Sequence, residues 1–204
     1  MNNAYLSQHY RRMPHVEKGL AIGLFGGSFN PPHKGHVLVA NTALVRLKLD
    51  RLWWMITPGN PLKNSTDLAP LDERIAASEK LKNNPHICVT AFEEKIHTRY
   101  SADTIAYILQ HNPDVHFVWI IGADNLASFH HWQHWRRIVK IVSIAVINRS
   151  GFERADISAP MTQTFARFRI PENMAALLAL KKAPAWTFIH GRRSGLASSV
   201  LRDL

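Results

Sequence analysis

GGSFNPPHKGH, residues 26–36, is the stretch that decides the fold of this chain. It follows an apolar run at residues 20–25 and precedes a helical pattern at residues 37–49, which predicts a strand, a glycine turn and a helix. The paired glycines permit backbone conformations that other residues resist. His33 and His36 lie three residues apart, so both rings project from one side of the first helical turn. Because the N-terminus of a helix attracts phosphate, this stretch predicts a site for a phosphate that is being transferred.

The rest of the chain continues the alternation of strands and helices. The apolar runs are nearly continuous, as in a parallel sheet that is buried on both faces. The sequence therefore predicts an α/β fold, a Rossmann-like open, mostly parallel sheet with helices on both faces. Further strands are predicted at residues 51–57, 87–92, 117–121, 142–147 and 184–189, and helices at residues 71–81, 104–111 and 172–180.

Ligands of such sheets bind outside the carboxyl ends of the strands, where the strand order reverses. The glycine turn, the loop at Pro58 and the turn at Gly122 all follow predicted strands, so we expect them to meet at that edge. Asp124, two residues after Gly122, either accepts a hydrogen bond from a ribose hydroxyl or caps the following helix.

The composition limits the classes of protein to consider. One domain is predicted at residues 19–204, with a flexible tail at residues 1–18 and a helical excursion at residues 150–182. The formal net charge of +10 favours anionic partners such as nucleotides, nucleic acid or a membrane surface, and charge alone does not choose among them. No apolar run is long enough for a membrane span, and the single cysteine and missing secretory signal lead us to expect a cytoplasmic protein.

The C-terminal segment offers a second set of phosphate contacts. Ser198 is a candidate N-cap for a short helix, and its hydroxyl, that of Ser199 and the helix N-terminus would bind polyphosphate. Arg202 presents a fork of donors to phosphate oxygens. By position alone, a frayed chain end is the alternative.

Two signatures in these segments resemble a known superfamily. HKGH at residues 33–36 resembles the HxGH motif of a nucleotidyltransferase superfamily, and LASSVLR at residues 196–202 resembles its second signature, ISSTxIR. Within the superfamily the chain most resembles the bacterial nicotinate-nucleotide adenylyltransferases, through YSADT at residues 100–104, IGAD at residues 121–124, and Trp132. The resemblance implies transfer of the adenylyl group of ATP to nicotinate mononucleotide, giving deamido-NAD and pyrophosphate in NAD biosynthesis.

The same resemblance implies a role for each matching residue. His33, His36 and Arg202 would be catalytic and act on the phosphates of ATP. The acceptor, nicotinate mononucleotide, would contact Lys63, Ser101, Asp124 and Trp132, with its ring stacked on the indole. The ATP site would be formed by Gly26, Gly27, Ser28, Phe29, His33, His36, Ser198, Ser199 and Arg202.

No resident metal site is predicted. Mg²⁺ is expected to arrive with ATP, because the chain offers no dedicated carboxylate cage. His130, His131 and His134 are interpreted as packing residues rather than as zinc ligands. Asn30 stands where the superfamily more often has Asp, and Ala197 replaces a serine of the second signature.

Two alternative functions stay open at this point. One is adenylyl or cytidylyl transfer to another phosphorylated acceptor, such as phosphopantetheine or nicotinamide mononucleotide. The other, more remote, is a non-enzymatic nucleic-acid-binding protein, which the charge favours but the two signatures do not. The expected partners are therefore ATP and nicotinate mononucleotide, without nucleic acid or membrane, and homo-oligomerisation is left open.

Overall fold

A computed structural model describes residues 8–59, 68–98, 100–148 and 158–191 of the chain. Within these residues six parallel strands form one sheet in the order β3-β2-β1-β4-β5-β6, which confirms the predicted Rossmann-like α/β fold. The strands are β1 Ala21–Gly27, β2 Arg51–Ile56, β3 Ile87–Thr90, β4 His116–Gly122, β5 Ser143–Asn148 and β6 Trp186–His190.

Helices cover both faces of this sheet. The α-helices are α1 Lys34–Arg46, α2 Leu71–Leu81, α3 Glu93–Ile96, α4 Ser101–His111, α5 Ala123–Ser128, α6 Trp135–Ile141 and α7 Pro160–Thr164. The 3₁₀ helices are η1 Phe129–His131, η2 Ala166–Phe168 and η3 Glu172–Leu180. None of the helices described is long and apolar enough to cross a membrane.

Side chains of the central strands alternate between two apolar cores. Leu24 and Trp119 belong to the core under α4, α5 and α6, whereas Phe25 and Ile120 belong to the core under α1, α2 and η3. Because both faces are buried, the strands read as continuous apolar runs, as the sequence predicted. The strand order reverses between β1 and β4, which pair with Leu24 opposite Trp119, so the ligand-binding edge lies at their carboxyl ends.

Both edges of the sheet are covered by segments that lie outside the strands. At β3, the Thr90 hydroxyl donates to the Tyr10 carbonyl over 3.1 Å, and the neighbouring Ala91 N–H donates to the same oxygen over 2.7 Å. At β6, the Ile170 N–H donates to the Trp186 carbonyl over 2.7 Å. Such cover satisfies main-chain groups that an open edge would present to another chain.

Part of the predicted flexible tail is built into the domain. Arg11 pairs with Asp72 on α2 over 2.9 Å and also with Glu94 on α3, and Val16 is buried in the core. These contacts correct the expectation of a tail for residues 8–18, because a polar segment can be fixed by the sheet edge that it covers. In the predicted excursion, residues 158–180 pack on the sheet, and Trp186 donates its indole N–H to the Phe165 carbonyl over 2.8 Å.

Candidate active site

The two histidines of the first signature stack on each other at the start of α1. Their ring centroids are 3.8 Å apart and their planes are inclined by 29°. His33 is the N-cap of the helix, and its Nδ1 accepts the Gly35 N–H over 3.1 Å. His36 completes a capping box, because its Nδ1 accepts the His33 N–H over 3.2 Å.

These caps determine where each neutral ring carries its proton. A ring nitrogen that accepts a hydrogen bond has no proton of its own, so the proton of each neutral imidazole lies on Nε2. Both histidines can therefore donate from Nε2 to an oxygen. The Gly35 N–H is already used by the cap, so the phosphate contacts predicted at this helix end would come from the rings rather than from that amide.

An aromatic cluster holds the glycine turn and His36 in place. Phe29 has a left-handed backbone with φ of 47°, a conformation that is uncommon outside glycine. Its ring lies edge-on to His36 at 4.9 Å between centroids, and it packs against Trp54 at 4.9 Å and Phe25 at 5.3 Å. The buried ring thus maintains the unusual turn and supports the imidazole on one side.

The paired glycines face opposite sides of the sheet. A Cβ on Gly26 would lie 2.7 Å from Cη2 of Trp119, and a Cβ on Gly27 would lie 3.2 Å from the Phe29 ring. Contacts below 3.0 Å do not occur without a shift of the neighbour, and Trp119 is only 1% exposed. Glycine is therefore required at Gly26, where the turn passes directly over a buried indole.

Trp119 connects this turn to Trp132, the residue expected to stack on the acceptor. The two indoles meet edge-to-face at 6.5 Å between centroids with an angle of 82°, and Phe129 contacts Trp132 at 5.2 Å. Trp132 itself is half-buried, so part of its ring remains accessible. The predicted ATP turn and the predicted acceptor ring are thus both in contact with the same buried tryptophan.

Asp124 lies in the first turn of α5, whose N-cap is Gly122. The helix-cap alternative for Asp124 is therefore wrong. A Cβ on Gly122 would lie 2.3 Å from the Asp124 Oδ1. The carboxylate of Asp124 therefore occupies space next to the end of β4 that a side chain at position 122 would fill. The ribose contact expected of Asp124 stays a prediction.

Ser101 is the first residue of α4, with Tyr100 as the N-cap. The helix therefore starts three residues earlier than the sequence predicted. Asp103 in its first turn pairs with Arg137 of α6 over 3.0 Å, which joins the helix that carries Ser101 to the helix that follows Trp132.

Glu93 of α3 is a buried carboxyl beside the start of α4. Loss of hydration on burial raises the pKa of Glu93 to about 7, and a hydrogen bond with Thr104 opposes that rise. The Thr104 hydroxyl also bonds to the Thr98 hydroxyl over 2.8 Å. The three side chains fix the connection between α3 and α4.

Arg74 of α2 is a residue of the site that the sequence analysis missed. Its side chain is buried, and it donates to the carbonyls of Ser28 over 2.8 Å and Thr57 over 2.8 Å. Burial lowers the pKa of the guanidinium below its ordinary value. The sequence offers only a weak signal for its burial, because Arg74 is adjacent to the apolar Ile75 and lies one helical turn before Ser78, and it offers none for the carbonyls that Arg74 contacts.

Asn30, the departure from the superfamily pattern, also has a structural contact. Its Oδ1 accepts the Ala69 N–H over 3.2 Å, which ties the glycine turn to the segment before α2. The remaining predicted contacts, Lys63, Ser198, Ser199 and Arg202, lie outside the described residues, so their roles stay predictions.

The histidines after Asp124 do not share a helix face. His130 and His131 belong to η1, while His134 precedes α6 with a left-handed φ of 56°. In the part of the chain that the structure describes, no group of three or more His, Cys, Asp or Glu side chains is arranged to hold a metal ion.

The chain is similar to a protein-family model and to named bacterial proteins. The cytidylyltransferase-like family model matches residues 24–199. A Mesorhizobium japonicum protein named as a probable nicotinate-nucleotide adenylyltransferase is 59% identical over 192 residues, covering 94% of this chain and 98% of its own. A Brucella abortus protein of the same name is 58% identical over 185 residues, covering 91% of this chain and 95% of its own.

Solved structures share the fold at lower identity. Plasmodium falciparum nicotinic acid mononucleotide adenylyltransferase, complexed with APC, superposes with a TM-score of 0.66 at 18% identity, over 90% of this chain and 83% of its own. The same enzyme complexed with NaAD gives a TM-score of 0.65 at 18% identity, again over 90% of this chain and 83% of its own.

Proposed function

Because this chain belongs to the nicotinate-nucleotide adenylyltransferases, within the cytidylyltransferase-like family, we propose that the stacked His33 and His36 form its catalytic centre. The protein transfers the adenylyl group of ATP to nicotinate mononucleotide and releases pyrophosphate, a step of NAD biosynthesis. The observation that supports the catalytic centre is the stacked pair of imidazoles at the helix N-terminus, in which main-chain amides occupy both Nδ1 atoms and so place the proton of each neutral ring on Nε2.

The reaction is a direct displacement at phosphorus. A 5′-phosphate oxygen of nicotinate mononucleotide attacks the α-phosphorus of ATP, while the bond to the bridging oxygen breaks and its electron pair leaves with pyrophosphate. Negative charge grows on the oxygens around the α-phosphorus, and donors fixed in advance stabilise it without reorganisation. His33 and His36 supply two such donors, and no covalent enzyme intermediate is required.

The substrates would lie on either side of the reversal point of the sheet. ATP would lie over the glycine turn, residues 26–29. The two glycines have no side chain and the Phe29 ring is buried, so a ligand can approach the backbone there. Nicotinate mononucleotide would lie at the end of β4, with its ring on the accessible part of Trp132 and its sugar near Asp124. Ser101, at the start of α4, would complete the acceptor site.

Four further contacts are proposed from the sequence resemblance. Lys63 would approach the acceptor phosphate, and Ser198, Ser199 and Arg202 would bind the phosphates of ATP. Mg²⁺ would enter as part of the Mg·ATP substrate, because the described residues offer no carboxylate cluster for a resident ion.

The decisive assay mixes the protein, Mg·ATP and nicotinate mononucleotide, and measures deamido-NAD and pyrophosphate. Parallel reactions replace the acceptor with nicotinamide mononucleotide or phosphopantetheine, and a further series replaces ATP with CTP. We expect dinucleotide product with the nicotinate acceptor at a kcat/KM above that of the other acceptors. Preferential turnover of another acceptor would contradict the acceptor site proposed at Trp132.

A further inference from the structure

Arg74 makes an unusual set of hydrogen bonds for a buried arginine. Its side chain lies under the ligand-binding edge and is 2% exposed. Nε donates to the Ala69 carbonyl over 2.9 Å, and Nη1 donates to the carbonyls of Ser28 and Thr57, both over 2.8 Å. Nη2 donates to the Pro58 carbonyl over 3.2 Å.

These four acceptors belong to three different segments of the site. Ser28 is in the glycine turn, Thr57 and Pro58 follow β2, and Ala69 precedes α2. The guanidinium group is planar and its N–H bonds point in fixed directions, so it holds all four carbonyls in one arrangement. Thr57 is also tied directly to the turn, since its N–H donates to the Gly27 carbonyl over 3.0 Å.

No described carboxylate pairs with Arg74, and its described hydrogen-bond acceptors are all main-chain carbonyls. A carboxylate partner would cancel the charge of the guanidinium, whereas a neutral carbonyl does not. Carbonyl partners leave the positive charge largely uncompensated beneath a turn that is expected to hold polyphosphate. This arrangement suits a residue that shapes an anion site without contacting the anion.

We propose that Arg74 is a positioning residue for adenylyl transfer, which fixes the glycine turn relative to the chain after β2. The proposal rests on the catalytic centre proposed above, since the turn leads directly into His33 and His36. Arg74 therefore joins the turn, over which ATP is proposed to lie, to the chain after β2. Its loss would displace the two substrates relative to each other more than it would weaken the binding of either one.

Two substitutions separate this role from simple stabilisation. Arg74→Lys keeps the charge but loses the planar fork, and Arg74→Met keeps the chain length and loses both. We expect kcat to fall roughly 10- to 100-fold in Arg74→Lys, because a misplacement of about 1 Å costs on the order of 10²-fold in rate. The dissociation constant of a non-hydrolysable ATP analogue, measured by calorimetry, should change less than about threefold in the same variant.

Arg46→Met serves as the matched control, because Arg46 lies at the far end of α1 and pairs with Glu172 over 2.7 Å. It should retain wild-type kcat. All variants are assayed below their unfolding temperatures, as established by circular dichroism. Amide hydrogen exchange at Ser28 and Thr57 should be faster in Arg74→Lys than in wild type, and unchanged in Arg46→Met.

Each result of these experiments either supports or overturns the positioning role of Arg74. A folded Arg74→Lys with wild-type kcat overturns the proposal, even if its unfolding temperature falls. Equal losses of kcat and of analogue affinity would also overturn it, since they would indicate a lost binding contact. If Arg74→Met does not fold, the lysine variant alone decides. If the wild-type protein forms no dinucleotide while its fold is intact, the catalytic centre itself is wrong, and the positioning role falls with it.

Discussion

His33 and His36 stack at 3.8 Å while each accepts a main-chain N–H at Nδ1. The helix cap and the proposed catalytic arrangement are therefore the same structure, because the bonds that begin α1 also orient the rings. The HxGH spacing follows from this geometry, since the third residue after an N-cap is the one whose side chain reaches back to the cap.

Replacement of His36 by alanine tests the catalytic role. We expect His36→Ala to lower kcat roughly 10²- to 10³-fold, the range for loss of one fixed donor to a developing charge. The affinity for ATP should change much less, because the donor acts mainly in the transition state. Steady-state kinetics and calorimetry check both values, and near-normal turnover would show that this imidazole is not catalytic.

His33 allows the capping role and the catalytic role to be separated. Asparagine is among the best N-cap residues, so His33→Asn should retain the stability of α1, whereas His33→Ala should lose about 1 kcal/mol of unfolding free energy. Both variants should lose turnover, because both lack the Nε2 donor. Urea unfolding and initial rates measure the two effects, and an active asparagine variant would indicate that His33 serves only as a cap.

Trp132 is expected to determine the affinity for the acceptor. Stacking on an aromatic side chain contributes about 1–3 kcal/mol, so Trp132→Ala should raise the KM for nicotinate mononucleotide roughly 10- to 100-fold. The KM for ATP should stay within about twofold, because ATP is proposed to lie over the glycine turn and not on Trp132. Trp132→Phe, which keeps an aromatic face, is the control and should retain most of the affinity. An equal rise of both KM values would argue against a stacking role.

The contact between Gly26 and Trp119 predicts a strong coupling between these positions. Gly26→Ala places a methyl group 2.7 Å from the indole and should cost about 1–3 kcal/mol of unfolding free energy, as overpacking does. Trp119→Phe makes room, so the double variant should lose less stability than the sum of the two single changes. Urea unfolding of all four proteins gives the coupling energy, and strict additivity would contradict the contact.

The raised pKa of Glu93 predicts how the unfolding free energy varies with pH. Its folded pKa of about 7 lies above the ordinary value of 4.5, so the unfolded chain releases this proton at lower pH than the folded protein does. The contribution of Glu93 to the unfolding free energy therefore decreases as pH rises from about 4.5 to about 7, by about 3 kcal/mol in total.

Glu93→Gln should remove this decrease, because the amide stays neutral throughout the range. The control is Glu73→Gln, which changes an exposed glutamate of α2 and should leave the pH dependence as it is in wild type. Urea unfolding at several pH values between 4.5 and 8 measures the slopes. Identical slopes for wild type and Glu93→Gln would show that the carboxyl is already ionised in the folded protein.

Much of the fold could be predicted because the determining patterns are local. Continuous apolar runs such as the one before Gly26 predict buried parallel strands, and the glycine turn between β1 and α1 has a recognisable composition. The pairing of His33 with His36 could also be predicted, since three-residue spacing on a helix brings side chains together.

The contacts that could not be predicted are those between distant segments. Arg74 lies 46 positions from Ser28, and an arginine in an amphipathic helix ordinarily faces solvent. Tyr10 covers an edge strand 80 positions away, and its polar neighbours resemble a disordered tail. The exact start of a helix depends on the backbone path. Asp124 is a favourable capping residue, yet the helix begins with Gly122 as its N-cap.

The cover over β3 has a consequence for any shortened form of the protein. A chain that began at residue 19 would lack Tyr10 and Arg12, whose carbonyls accept the Thr90 hydroxyl. The Ala91 N–H at the end of β3 would also lose its acceptor, the Tyr10 carbonyl. We therefore expect the shortened protein to expose this amide at the sheet edge and to self-associate more readily than the full chain, although the segment lies far from the histidines.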